Sequence, residues 1–225
     1  VRRTVATELM DEPDVDAAEL AQNFDDIERA NALFGGTKPV VAGVFSRGAA
    51  SVLDVGCGSA DIPRALAAAA RERGRALAIT ALDRSETVLA IARARTPAGD
   101  AIRFVRGDAL ALPFAGESFD VATCNLALHH FEPPAAVRVL RELRRVARFA
   151  PLVCDLERSL PAYAATVAFA RLIAKNRLTR HDGPLSVKRA YVAAELAELA
   201  AAAGWRAPRV KRAPFFRLLL WDDAR

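Results

Sequence analysis

The chain has few cysteines, few lysines and no long apolar run, and each shortage closes a class of explanation. Three cysteines among 225 residues (Cys57, Cys124 and Cys154) make an odd number with no close pair. That is no disulfide framework, and it fits reduced thiols in a cytoplasmic protein. Taken with His129 and His130, these cysteines match no zinc-ligand spacing. A carboxylate-rich magnesium site is not evident either, so no metal is expected. No stretch reaches the ~18 apolar residues of a membrane span. The longest near-apolar run, Tyr163–Ala174, is broken by Arg171. The opening residues Val1-Arg2-Arg3-Thr4 lack the apolar run of a signal peptide. Only four of the 32 basic residues are lysine, and none stands where a phosphate-binding P-loop needs one. The excess of basic over acidic residues, 32 to 27, is spread out and not striped. That argues against nucleic acid as the substrate.

What is present describes one sizeable domain. Apolar residues make up 52% of the chain and charged residues 26%, enough for a substantial core. From residue 51 short apolar segments alternate with helical ones. Strands are expected at 51–55, 76–82, 101–106, 119–124 and 151–155, with helices at 61–73, 85–95 and 133–147 between them. This alternation means a parallel sheet with helices on both faces. Two helices are expected ahead of it. The first starts at the Asp16-x-x-Glu19 capping box and stops at Gly35-Gly36, and the second covers Thr37–Arg47. They form an N-terminal helical cap over residues 1–48, before a main domain of 49–225. Residues 1–15 read as loosely ordered. After the fifth strand the alternation breaks. Residues 157–184 read as an inserted lid with one helix, Ala162–Lys175, and a polar stretch, 176–184. One helix is then expected over 186–203, and two antiparallel strands at 205–211 and 215–221.

The stretch Ser51-Val-Leu-Asp-Val-Gly-Cys-Gly-Ser-Ala-Asp61 organises the rest. A strand running into a glycine turn and a helix start lays a ligand against bare backbone. A dinucleotide fingerprint would need a third glycine at Asp61, where a carboxylate instead repels pyrophosphate. A cationic ligand fits better. Asp54 precedes the turn, Asp83 ends the second strand where it can accept two ribose hydroxyls, and Asp108 follows the third strand where it can accept an exocyclic amine. Three acids at successive strand ends imply a ligand with a ribose, an amino-bearing base and a positive end.

These motifs resemble class I S-adenosylmethionine-dependent methyltransferases over about residues 50–156. The segments that carry the resemblance are Val52-Leu-Asp-Val-Gly-Cys-Gly-Ser-Ala60, Leu82-Asp83-Arg84-Ser85, Gly107-Asp108-Ala109, and Leu112-Pro113-Phe114 with Ser118-Phe119-Asp120-Val121. The resemblance implies S-adenosylmethionine as cofactor, with Asp54, Gly56, Cys57 and Gly58 around its methionine part. It implies Asp83 and Arg84 at the ribose, Asp108 and Ala109 at the adenine, and Asn125 and Leu126 beside the transferred methyl. Ala60 stands where the family usually has a third glycine. The implied fold is a Rossmann-like α/β sheet of seven mostly parallel strands with an antiparallel last strand. The count of five strands plus a terminal pair agrees with it.

The acceptor is less legible. Asn125-Leu-Ala-Leu128 lacks the Asn-Pro-Pro-aromatic tetrad of adenine- or glutamine-methylating enzymes. His129 or His130, at a strand's C-terminal edge, is a candidate base, or one of them is a structural residue at the next helix. His181, in the polar end of the insertion, is a candidate base or substrate contact. The insertion offers Tyr163, Val167, Phe169, Leu172 and Ile173, with Phe215, Phe216 and Trp221 as possible neighbours, for a lid over an apolar or aromatic small molecule. The outer segments Leu9-Met-Asp-Glu-Pro-Asp14 and Thr179-Arg-His-Asp-Gly-Pro-Leu-Ser-Val187 resemble bacterial methyltransferases associated with type III polyketide synthases, and more broadly those of quinone biosynthesis. That implies O- or C-methylation of a phenolic or polyketide-like acceptor. The alternatives are an RNA or protein methyltransferase, and a non-catalytic S-adenosylmethionine-binding regulator.

Overall fold

The computed structural model describes residues 1–223. Seven strands form one sheet: β1 (Ser51–Val55), β2 (Ala78–Asp83), β3 (Ile102–Arg106), β4 (Phe119–Asn125), β5 (Ala147–Leu156), β6 (Pro208–Ala213) and β7 (Arg217–Asp222). Their order across the sheet is β3-β2-β1-β4-β5-β7-β6. The first five strands are mutually parallel, and β7 lies antiparallel to both β5 and β6. The expected Rossmann-like sheet is therefore present. Chain order reverses between β1 and β4, and in open sheets of this kind ligands bind outside the strands' carboxyl ends at such a switch point. The glycine turn leaves β1 there.

Among the described residues eight α-helices pack around the sheet: α1 (Ala17–Leu33), α2 (Lys38–Ser46), α3 (Asp61–Glu72), α4 (Glu86–Arg95), α5 (Pro133–Val146), α6 (Leu160–Leu172), α7 (Arg177–Arg189) and α8 (Ala193–Ala202). Asp16 caps α1 by accepting from the backbone N–H groups of Ala18 and Glu19. Ser85 caps α4 through Val88. The central strands are apolar on both faces, as a doubly covered sheet requires. Every residue of β4 is buried. Leu53, Leu82, Leu140 and Leu218 pack on one face, and Val52, Ile62, Leu66 and Leu152 on the other.

Two local expectations change. Residues 1–15 are tied down: Glu8 is 1% exposed, and the Thr4 amide donates to the Lys188 carbonyl. The polar stretch 176–184 is also helical, so α7 and α8 replace a single helix over 186–203. Asn176 caps α7 by accepting from Leu178, and Pro184 lies inside the helix. A mid-helix proline costs about 3 kcal/mol, but long-range ties offset it. The buried Asp182 carboxylate accepts from the amides of Leu9 at 2.8 Å and Met10 at 3.0 Å. Arg189 donates to the carbonyls of Ala6, His129 and His130. The helix is thus held by its contacts with the N-terminal segment and not by intrinsic propensity.

Candidate active site

The turn after β1 is shaped by backbone that few side chains tolerate. Gly56 and Gly58 have φ of +70° and +52°. A Cβ on Gly56 would stand 2.8 Å from the Ala127 methyl, and one on Gly58 would stand 3.2 Å from the Phe24 ring. Ala60 adopts φ +64° as well, a left-handed conformation that glycine takes freely and alanine does not. The amides of Gly56 and Cys57 both donate to the Leu82 carbonyl. The Gly58 amide donates to Asp83 Oδ2 at 3.2 Å, while Asp83 Oδ1 accepts from Ser85. The turn and the end of β2 are therefore one unit, and bare backbone lines the space between them.

A cavity of about 1120 Å³ opens over this unit. Gly56, Cys57, Gly58, Asp83, Arg84, Asp108, Ala109, Asn125 and Leu126 all line it. Asp54 does not. It lies beneath the turn, 2% exposed, with its carboxyl 2.7 Å from the hydroxyl of Thr123 on the next strand. Burial pushes Asp54 up to about 7; the Thr123 bond opposes the shift, and Asp61 and Asp83 add to it. Asp83 is also raised, chiefly by burial. Asn125 Oδ1 is buried and accepts no hydrogen bond. Asn31, on α1, joins the lining. Its side-chain amide donates to Asp61 at 2.6 Å, and its carbonyl accepts from Arg217 at 2.8 Å.

The other end of the same cavity is built from distant parts of the chain. Glu8 precedes a short 3-10 turn, Leu9–Asp11, and faces a second one, Leu128–His130, that follows β4. His129 Nδ1 lies 2.7 Å from Asp155 at the end of β5, and His130 Nδ1 lies 2.7 Å from Asp11. Glu8 stands 3.6 Å from His129 Nε2, 3.7 Å from His130 Nε2 and 3.7 Å from Arg189 Nε. Burial pushes Glu8 up to about 7, against the opposing charges of His130 and Arg189. Burial also raises Asp155 and Asp11, but their histidine partners and other bonds outweigh it, and both end below the usual carboxylate range.

Among the histidines read from the sequence, His129 and His130 line the cavity. His181 is not among the lining residues. It sits half-exposed on α7, with Nδ1 2.7 Å from its neighbour Asp182. Ala165, Thr166 and Phe169 of α6, with Phe215 and Phe216 of the β6–β7 turn, close one side of the cavity. Phe34 packs against Phe215 at 5.3 Å and against Phe169 at 6.0 Å. Leu172 points outward, 83% exposed, and Trp221 packs against the core beside Leu152. Sequence reasoning missed Glu8, Asp11, Asp155 and Arg189. The Leu9–Asp14 segment drew notice only as a resemblance, and no local spacing links it to His129.

Comparison with known proteins agrees with this layout. Residues 52–149 match the family described as a methyltransferase domain. The demethylmenaquinone methyltransferase of Staphylococcus epidermidis is 38% identical over 109 residues, which cover 48% of this chain and 43% of that protein. The enzyme of the same name from Bacillus velezensis is 40% identical over 114 residues, covering 50% and 47%. The chain thus spans about half the length of the curated relatives it matches. Among solved structures, a putative O-methyltransferase from Nostoc punctiforme superposes with a TM-score of 0.66 at 15% identity, covering 98% of this chain and 64% of that one. A SAM-dependent methyltransferase from Aquifex aeolicus gives 0.65 at 19% identity, covering 92% and 97%. Magnesium protoporphyrin IX methyltransferase from Synechocystis, solved with bound SAH, gives 0.61 at 17% identity, covering 88% and 92%. The resemblance carried by the motifs holds: residues 52–149 match a methyltransferase domain, and the fold is the one these solved methyltransferases share.

Proposed function

We propose that this class I methyltransferase chain takes S-adenosylmethionine as methyl donor and methylates a small aromatic, phenolic or quinol-like acceptor. The observation that carries the reading is one cavity lined at one end by the glycine turn and Asp83 and at the other by Glu8, His129 and His130. A sulfonium donor supplies an electrophilic methyl: the acceptor atom bonds to it as the carbon–sulfur bond breaks, and the electron pair stays on sulfur.

The residues suit that ligand. Bare backbone at Gly56 and Gly58 leaves room that any Cβ would fill. Asp83 accepts the ribose hydroxyls, and Asp108 and Ala109 hold the adenine edge. Asn125, whose buried Oδ1 accepts no hydrogen bond, and Leu126 stand beside the transferred methyl. Asp54 acts from beneath, fixing β1 against β4 through Thr123. The chain's main contribution is alignment, an effect worth up to ~7–11 kcal/mol in favourable cases. Phe169, Phe215 and Phe216 exclude water and offer apolar surface to a flat acceptor. The acceptor hydroxyl meets Glu8, His129 and His130, where its ionisation is favoured. Demethylmenaquinone-type acceptors suit this arrangement, and the similarity to the two bacterial enzymes supports that class. The three buried, unpaired cysteines fit work in a reducing cytoplasm, and no helix among the described residues is long and apolar enough to cross a membrane.

The test is calorimetry with S-adenosylmethionine and S-adenosylhomocysteine, followed by mass spectrometry of a phenol and quinol panel incubated with labelled donor. Binding of both nucleosides and a methylated product from the panel are expected. Absence of nucleoside binding overturns the reading. Binding with no product from any acceptor would favour a regulator, and salt-sensitive binding of RNA or protein would favour a macromolecular acceptor.

A further inference from the structure

Glu8, His129 and His130 turn their ligating atoms toward one another, all within 4.8 Å. Each imidazole is already engaged through Nδ1, His129 with Asp155 and His130 with Asp11, both at 2.7 Å. A carboxylate only accepts, so each ring carries its proton on Nδ1 and presents a lone pair from Nε2. The two Nε2 atoms lie 3.6 Å and 3.7 Å from the two oxygens of Glu8, beyond hydrogen-bond distance. The rings lie side by side, with centroids 4.4 Å apart and planes inclined by 36°. Glu8 is 1% exposed, and its Oε1 accepts no hydrogen bond. Three potential ligand groups thus converge in a buried place with no hydrogen bond between Glu8 and either ring.

With both rings neutral and Glu8 ionised, that arrangement is repulsive unless a cation stands between the atoms. Arg189 is the nearest charged guanidinium, 3.7 Å from Glu8, and three of its N–H groups donate to the carbonyls of Ala6, His129 and His130. Its effect is to fasten together the two backbone segments that carry all three ligating side chains. Two ligands of one cation, each bound at ~2.0–2.2 Å, stand about 3–3.5 Å apart, so each Glu8–histidine pair is within a few tenths of an ångström of that spacing, and all three ligating atoms lie within 4.8 Å of one another. A histidine whose Nδ1–H is held by a carboxylate is the form that metal-bound imidazoles take, because the outer bond fixes the tautomer and the ring's aim. Here both histidines have that bond.

We propose that Glu8 and the Nε2 atoms of His129 and His130 form a three-ligand site for a divalent transition-metal cation of the zinc class, with its remaining positions open to the cavity. The site lies where the acceptor hydroxyl docks. Bound through its oxygen, that hydroxyl loses its proton to water and is held as the anion that attacks the methyl. This role, though not the site itself, rests on the proposed methyl transfer.

The experiment uses metal-stripped protein, titrated with Zn²⁺ by calorimetry and with Co²⁺ by visible absorption. One equivalent of each is expected to bind, and Co²⁺ is expected to show the absorption bands of nitrogen and oxygen coordination. Glu8→Gln and His130→Asn each remove a ligand, and Asp155→Asn removes only an orienting partner. The Asp155 variant is expected to lower affinity roughly 10–100-fold, and the two ligand variants to lower it at least as much. His181→Asn, outside the cluster, is expected to leave it unchanged. Circular dichroism and S-adenosylhomocysteine affinity report whether each variant is folded, and His130, the more exposed histidine, is a second route if Glu8→Gln misfolds. No uptake by the wild-type chain, or equal uptake by a folded Glu8→Gln or His130→Asn variant, overturns the site. Nucleoside binding without metal uptake sinks this inference and spares the methyl-transfer reading. Metal uptake without nucleoside binding does the reverse.

Discussion

Two aspartates at strand ends contrast the two halves of the cavity. Asp54 on β1 and Asp155 on β5 are equally buried, at 2% exposed. Burial raises both, yet Asp54 rises to about 7 while Asp155 falls below the usual range. The difference lies in the partners. Asp54 has one neutral hydroxyl, from Thr123, and two other acids nearby. Asp155 has the His129 ring, the His129 amide and the Leu156 amide. The donor half is therefore a backbone cradle over an acid that prefers its proton. In the acceptor half Asp155 and Asp11 are held ionised and aim the two imidazoles at Glu8, which burial raises. Local chain geometry builds the first, and long-range side-chain contacts build the second.

The largest effect expected from this contrast is a pH dependence at Asp54. Its folded value of about 7 exceeds the ordinary 3.8, so the folded chain keeps a proton that the unfolded chain releases. The stabilisation is full below about pH 4 and is lost as pH rises through 7. Asp54→Asn should flatten this dependence, changing the unfolding free-energy difference from wild type by on the order of 4 kcal/mol between pH 4 and pH 8. Urea titrations at a series of pH values measure it, and parallel profiles for the two proteins would erase the contrast. Next, Arg189→Met should cost about 3 kcal/mol of stability, because three inward-facing carbonyls lose their donor. S-adenosylhomocysteine affinity should stay within about twofold if the halves are built independently, and a large loss of affinity would show that they are not. Asp83→Asn should weaken S-adenosylhomocysteine roughly 30-fold, about 2 kcal/mol, by removing a charged acceptor. The smallest effect is at Ala60. Replacement by glycine relieves the left-handed conformation and should raise stability by about 1 kcal/mol, read as a higher melting temperature. A lower one would mean that the Ala60 methyl packs better than its backbone suffers.

The same contrast explains what the sequence made legible. The donor half was readable because a strand, its glycine turn and the next strand's terminal acid follow in order, and the parallel sheet brings such ends to one edge. Asp83, Asp108 and Asn125 line the cavity for that reason. Asp54 was expected around the donor's methionine part, but it does not line the cavity, and its carboxyl is spent on the Thr123 hydroxyl of the next strand. In the acceptor half, His129 and His130 were visible as a pair. Glu8 was not, because residues 1–15 have no periodicity that signals burial. What buries them is the docking of α7, and α7 was hidden by Pro184 and a run of polar residues. Asp182 and Arg189 are polar because they serve another segment's backbone, a purpose that hydrophobic patterning does not record. His181 drew attention by residue type, while its neighbour Asp182 makes the connection.

The placement of β7 has a consequence for how the chain assembles. β7 lies between β5 and β6, yet it follows both in sequence. The outer edge of β5 therefore has no partner until residues 217–222 have been made, and β6 cannot reach the sheet by itself. The last two strands must pair with each other as a hairpin and arrive together, or β7 must dock first and receive β6 afterwards. In either order β5 carries an open, apolar edge from its own completion until β7 is made, at Leu152, Val153 and Cys154, and open edges of this kind recruit foreign strands. Closing the sheet is a late, two-stranded event, and during that interval the nascent chain is most exposed to aggregation.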